Sequence, residues 1–155
     1  MEEIIQEKIS ADHLLYVSLK YTKTCDVIMN LLLRWRKMIE TCMIHMLKKY
    51  QKDGKIDEVS TNAIGRIKQM KQLYKDDPDM METISFFMML RKLEDLKTER
   101  IGEFRKNVAL KIQFRGEEVN VNLEQLKVYA EMMEKFINTT KFFLNPEEFT
   151  KKKKR

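Results

Sequence analysis

One stretch governs what this chain can become. Between residues 11 and 52, apolar side chains recur at Leu14, Val17, Tyr21, Cys25, Ile28, Leu32, Trp35, Ile39, Cys42 and Met46. Every step is three or four residues, which is the spacing of one helical face. Neither Pro nor Gly interrupts the run. Ser10 stands where an N-cap belongs and Asp53-Gly54 where a helix stops. The spacing therefore predicts one very long helix over 11–52. Leu15, Leu31, Leu33, Met38 and Ile44 widen its apolar face beyond a narrow seam. Such a helix meets neighbours on more than one side, in a bundle centre or a dimer.

The same length limits the cysteines. Cys25 and Cys42 are the only two, 17 positions apart. On a straight helix that is about 25 Å, too far for a disulfide. Two reduced core thiols are expected, which suits a cytoplasmic protein. Residues 1–10 carry Glu2, Glu3 and Glu7 and no apolar core, so they read as an N-terminal extension and not a signal peptide. No run of 18 apolar residues exists, so no membrane span and no membrane partner are expected.

The rest of the chain continues the helical theme. Residues 60–76 read as a second helix, capped by Ser60 or Thr61, with Ile64, Ile67, Met70 and Tyr74 inward. Residues 79–107 read as a third, with Phe86, Met89, Leu90, Leu93, Leu96, Ile101 and Phe104 as its stripe. The period then changes. Leu110, Ile112 and Phe114 alternate with polar or small residues, Arg115-Gly116-Glu117 intervenes, and Val119 and Val121 alternate again. This predicts a β-hairpin at 108–122, which must pack on the bundle or on another subunit. Asn122 with Gln125 makes a capping pattern for a last helix reaching Leu144. Residues 145–155 read as a disordered basic tail. The expected fold is mainly α: a bundle of three to four helices in one domain, 11–144, with a small hairpin before the last helix.

Charge says less than it first suggests. The formal net charge is +6, but Lys151, Lys152, Lys153, Lys154 and Arg155 supply five of it. The remainder is nearly neutral, so the overall charge alone is no argument for nucleic acid. The tail reads as a solvated end, or as an aid to nonspecific nucleic-acid contact.

No phosphate loop, paired-cysteine motif or hydrolase motif is present. His13 and His45 are 32 positions apart on the predicted helix and cannot share a metal within one chain. No catalytic residue, cofactor or metal is assigned. Trp35, among Arg34, Arg36 and Lys37, belongs to the apolar stripe and reads as a core residue more than a base-stacking platform. Arg36 lies at the edge of that stripe with Glu40 one turn on, an expected ion pair. Arg91 and Asp95 have the same spacing. Arg100 interrupts the line of Phe86, Leu93 and Phe104. It should find a carboxylate, Glu40 or Glu103, or a bound anion. Arg105, Lys106 and Asn107 follow at the expected helix end, where cations also complement the helix dipole. Together Arg100, Arg105, Lys106 and Asn107 are the candidate contacts for an anion or nucleic acid. Twelve methionines, several in pairs, read as core filling, with the outer member of each pair available to a subunit contact.

The segments Leu31–Glu40 (LLLRWRKMIE) and Glu103–Val108 (EFRKNV), within Ala11–Ile44 and Arg91–Asn107, resemble a family of uncharacterised archaeal helical proteins. That likeness covers most of residues 11–143 and implies a helical fold without a defined activity. A looser resemblance is to the HEPN superfamily of four-helix bundles, many of which cut RNA or bind nucleotides. Their RNases carry an Arg, four to six residues, then a His near a dimer interface. Arg100 and Arg105 sit at a similar-looking place, but no His occurs in 101–155 and Arg36 to His45 is too long a spacing. The resemblance therefore implies a noncatalytic member. Two functional readings follow. One is a noncatalytic module binding RNA or another phosphate-bearing ligand. The other is a structural or protein-interaction module that forms a homodimer or holds a protein partner. An enzyme is the reading with least support, because no acid–base or nucleophile set is legible.

Overall fold

The computed structural model describes residues 2–147, so the basic tail expected over 145–155 lies, from residue 148 on, outside the described residues. Five helices and a small antiparallel sheet follow in the order α1 (Glu2–His13), α2 (Cys25–Lys52), α3 (Ala63–Leu73), α4 (Pro78–Arg91), β1 (Thr98–Ile101), β2 (Ala109–Phe114), β3 (Glu117–Asn122) and α5 (Leu123–Leu144). The chain is mainly helical, as expected, with the sheet directly before the last helix. Among the described residues, no helix is long and apolar enough to cross a membrane.

The long predicted helix is two rods. The first begins earlier than expected: residues 2–10 are helical, Ile4 and Glu7 are buried, and Ser10 lies mid-helix instead of capping it. These residues are thus not an extension outside the bundle. α1 continues through one wide turn, Leu14–Ser18, in which the Leu19 N–H reaches back five residues to the Leu14 carbonyl. A short turn, Leu19–Tyr21, completes this N-terminal rod. The chain then opens at Thr22-Lys23-Thr24. Thr24 is extended (φ −120°, ψ 155°) and its hydroxyl accepts the Val27 N–H, capping α2. Threonine hydroxyls compete with helical bonding in this way. The apolar spacing runs straight across the break because both rods bury a face in one core.

α2 is the centre. Ile28, Leu31, Leu32, Ile39, Cys42, Met46 and Leu47 lose all exposure, and α1, α3, α4, α5 and β2 pack around them. Trp35 is 3% exposed, edge-on to Phe86 and Tyr129, which stack on each other at 4.3 Å. It is a core tryptophan. Gly54, at φ 78°, stops the helix where expected. Within the methionine pairs, Met80, Met89 and Met133 are buried, while Met81, Met88 and Met132 lie partly buried against the same core. Cys25 and Cys42 are both buried and free.

Two other boundaries differ from expectation. α3 starts at Ala63, and its cap is Asn62, whose side chain accepts the Gly65 N–H, not Ser60 or Thr61. Ile64 points outward there. The helix predicted over 79–107 ends at Arg91, so no Arg91–Asp95 pair forms; a turn at Leu93–Asp95 and then β1 follow. Thr98-Glu99-Arg100-Ile101 is a short, charged edge strand, the kind that resists further pairing. The sheet therefore has three strands, ordered β1-β2-β3, rather than two. Its inner face carries Leu110, Ile112 and Val121, all fully buried on the bundle. Arg115 and Gly116, both at positive φ, close the β2–β3 hairpin, with Phe114 paired to Glu117. Asn122 then caps α5 by accepting the Gln125 N–H, as its spacing indicated.

Candidate nucleic-acid interface

Arg100 lies on β1 opposite Leu110, not on a helix. From the sheet's edge its guanidinium reaches Asp26 Oδ1 at 2.6 Å, in the first turn of α2, and Glu103 Oε1 at 3.7 Å. The Asp26 hydrogen bond, more than any other contact, holds its pKa above the ordinary value. Of the two carboxylates expected, Glu103 is present and Glu40 is not. With both partners anionic, Arg100 braces β1 to the start of α2. Arg36 likewise meets a different acid. It bonds the Leu90 carbonyl at 3.4 Å in the last turn of α4 and Glu94 at 2.6 Å in the turn that follows. The cation is drawn to that helix's negative end, and the pair with Glu40 does not form.

The loop between β1 and β2 holds the other three sequence candidates. It turns sharply at Gly102 (φ 65°), where a Cβ would sit 2.6 Å from the Asn107 side-chain oxygen. Two contacts then pin it to the region where the N-terminal rod gives way to α2. The Glu103 carboxylate accepts the Cys25 N–H at 3.2 and 3.3 Å, and the Phe104 N–H donates to the Lys23 carbonyl at 2.6 Å. The consequence falls on Phe104. It is held at φ 66°, a left-handed conformation that costs about 1–3 kcal/mol for such a residue, and 75% of it is exposed. Read in sequence it belonged to a buried helical stripe; in the fold it stands in water.

Cationic residues adjoin it along the chain and across the pinning bond, where the Lys23 ammonium donates to the Lys20 carbonyl at 2.7 Å. Arg105 and Lys106 are its exposed chain neighbours. Lys23 lies across the backbone bond, and Tyr21, 78% exposed, carries the Lys20 ammonium 5.8 Å from its ring centre. On the other side of the loop, Lys106 and Asn107 line an open cleft of about 480 Å³ with Lys111, Asn120, Asn122 and Glu124. These come from the outer face of the sheet and the start of α5. Lys111 is partly neutralised by Glu118 at 3.3 Å. The structure thus brings Arg105, Lys106 and Asn107 together and sets Arg100 apart as a brace. The pinning of Phe104 to Lys23, 81 positions away, and the meeting of Lys106 and Asn107 with Lys111 and Asn120 were not legible in the sequence. Alternation in β2 and β3 did signal that Lys111 and Asn120 share the polar face.

Neither thiol is poised as a nucleophile. Burial, then the Glu103 carboxylate, pushes the Cys25 thiol up, and its sulfur donates to the Ala109 carbonyl at 3.2 Å. Burial pushes the Cys42 thiol up to about 12. His45 is held below its ordinary value, chiefly by burial, with nearby positive charge, Lys48 included, adding to it. Among the described residues, no group of three or more His, Cys, Asp or Glu is placed to hold a metal ion. Compared with family models, with curated proteins and with solved structures, the chain finds no match.

Proposed function

We propose that this protein is a noncatalytic module that binds single-stranded nucleic acid, RNA foremost, through the β1–β2 loop. One observation carries the reading: Phe104, strained and three-quarters exposed, is presented by backbone pinning between Lys23, Arg105 and Lys106. A ring held away from the core is a surface on which a base can stack, a contact worth about 1–3 kcal/mol. The neighbouring cations would take the phosphates on either side. Asn107 and Asn120, beside them, offer amide donors and acceptors to base or sugar. The resemblance to HEPN bundles belongs to the same proposal and suggests RNA as the ligand class; the archaeal family adds a helical fold and no ligand.

The test is fluorescence anisotropy with labelled single-stranded oligouridine, titrated at low and moderate salt. Binding should weaken with salt by a slope near 0.7 per neutralised phosphate. Phe104→Ala should weaken it about tenfold or more. R105E/K106E should abolish it at moderate salt. No binding at low salt, or binding indifferent to all three changes, overturns the proposal. Equal affinity for DNA would leave the site standing and remove RNA preference from it.

A further inference from the structure

The N-terminal rod has two apolar sides and only one of them is used. Ile4, Ala11, Leu15 and Leu19 are buried against the bundle. On the opposite side Ile5, Ile9, Tyr16 and Val17 are 41%, 57%, 62% and 41% exposed. Ile5 and Ile9 are four residues apart and share one line along the rod. The wide turn at Leu14–Ser18 takes in about one extra residue, so Tyr16 and Val17, seven and eight residues beyond Ile9, flank that line on the same side. Four large side chains aligned in solvent are a continuous strip, not scattered exceptions. No other described element covers the strip, and only Tyr16 also borders a cleft, shared with α5.

Charge along the rod indicates what fits there. It begins with exposed Glu2 and Glu3 and ends with exposed Lys20. A second rod laid antiparallel sets each acidic start against the other's basic end, and opposes the two helix dipoles favourably. A parallel partner would set like on like. The apolar content has the same symmetry: with Ile9 near the middle, antiparallel pairing brings Ile5 of each rod to Tyr16 and Val17 of the other.

We propose that this strip is the interface of a two-fold homodimer in which the N-terminal rods of two copies pack antiparallel. The contact is isologous, so it closes at two copies and does not propagate. One helix against one helix lies at the small end of interface sizes, so the dimer is concentration-dependent. It uses no residue of the β1–β2 loop, and the observations behind it are separate from those behind nucleic-acid binding.

Sedimentation velocity on the full chain, over a wide concentration range, should show mass rising from one copy to two. Ile9→Glu should hold the protein monomeric at every concentration, with its circular dichroism unchanged because the site is exposed. E2K/E3K should weaken association, and adding Lys20→Glu should restore it. I5C/V17C should form a covalent dimer under mild oxidation, while Ile5→Cys alone should form far less; the native thiols are buried and give little background. A monomer at all concentrations, a dimer that survives Ile9→Glu, charge reversal without rescue, or Ile5→Cys cross-linking as readily alone would each overturn the proposal. Because Phe104→Ala does not touch this strip, its effect on RNA binding reports separately on the loop.

Discussion

The N-terminal rod and α2 share one apolar rhythm and lead different lives. α2 meets neighbours around most of its circumference, with a stripe through Asp26, Asn30, Arg34 and Lys37 left to solvent. The rod is covered on one side only and is held there by charges as well as by oil. Glu7, 8% exposed, sits 3.0 Å from the Lys37 ammonium and 3.6 Å from the Arg34 guanidinium, both on α2. Lys8 reaches Asp12 at 2.8 Å and Glu134 of α5 at 2.6 Å. Periodicity reports that a helix has an apolar face. How many neighbours that face meets, and whether polar groups share the work, is decided by the fold.

The contrast can be broken first at α2. Leu32 is fully buried. Leu32→Ala should cost about 2–5 kcal/mol in chemical denaturation, since neighbours on all sides prevent collapse around the void. A cost under 1 kcal/mol would mean α2 is less enclosed than described.

Alkali tests the same interior. Cys42 has a folded pKa near 12 against an ordinary 9.0, because burial disfavours the thiolate. A raised folded value means that the stabilisation is complete below pH 9 and is lost as pH rises from 9 toward 12. The loss should reach the order of a few kcal/mol, and Cys42→Ala should flatten the profile. Tyr74, also raised by burial and by its bond with Tyr50, acts in the same direction. A denaturation midpoint that does not move over this range would contradict the burial.

At the rod the expected effects shrink. Glu7→Gln removes the charge that Arg34 and Lys37 face, and both cations are half exposed and can turn to water. The cost should be about 1 kcal/mol. It should also be local: amide exchange should accelerate in residues 2–21 and leave α2 protected. Uniform acceleration through both rods would show that they unfold as one unit. Phe104→Gly should do the opposite of the core variant, raising stability by about 0.5–1 kcal/mol through relief of the left-handed residue. RNA affinity should fall in the same protein. Smallest of all, Arg100→Ala should leave the denaturation midpoint nearly unchanged at high salt, because its ion pairs are solvent-exposed.

Much of the architecture was legible because it rests on local rules. The stop at Gly54, the cap at Asn122, the alternation through β2 and β3 and the inward Trp35 each follow from a few adjacent residues. The break at Thr22–Thr24 was hidden because the three-and-four spacing persists through it. β1 was hidden because an edge strand of four residues, three of them exposed, has no apolar alternation to announce it. The candidate site was half legible. Arg105, Lys106 and Asn107 stood out as a polar cluster. Phe104 looked like core until a backbone bond from 81 positions away turned it outward. Arg100 found the expected Glu103, but its shorter contact, Asp26, and the partner of Arg36, Glu94, lie 74 and 58 positions off, beyond any helical spacing rule.

The hydrogen bonds from Phe104 to Lys23 and from Cys25 to Glu103 tie the loop to the junction between the two rods. A change of backbone angle at residues 22–24 on self-association would therefore be transmitted to the aromatic ring. Thermodynamic reciprocity then forbids one-way traffic. Any free energy by which self-association favours one such angle is the same free energy by which a bound strand favours, or resists, self-association.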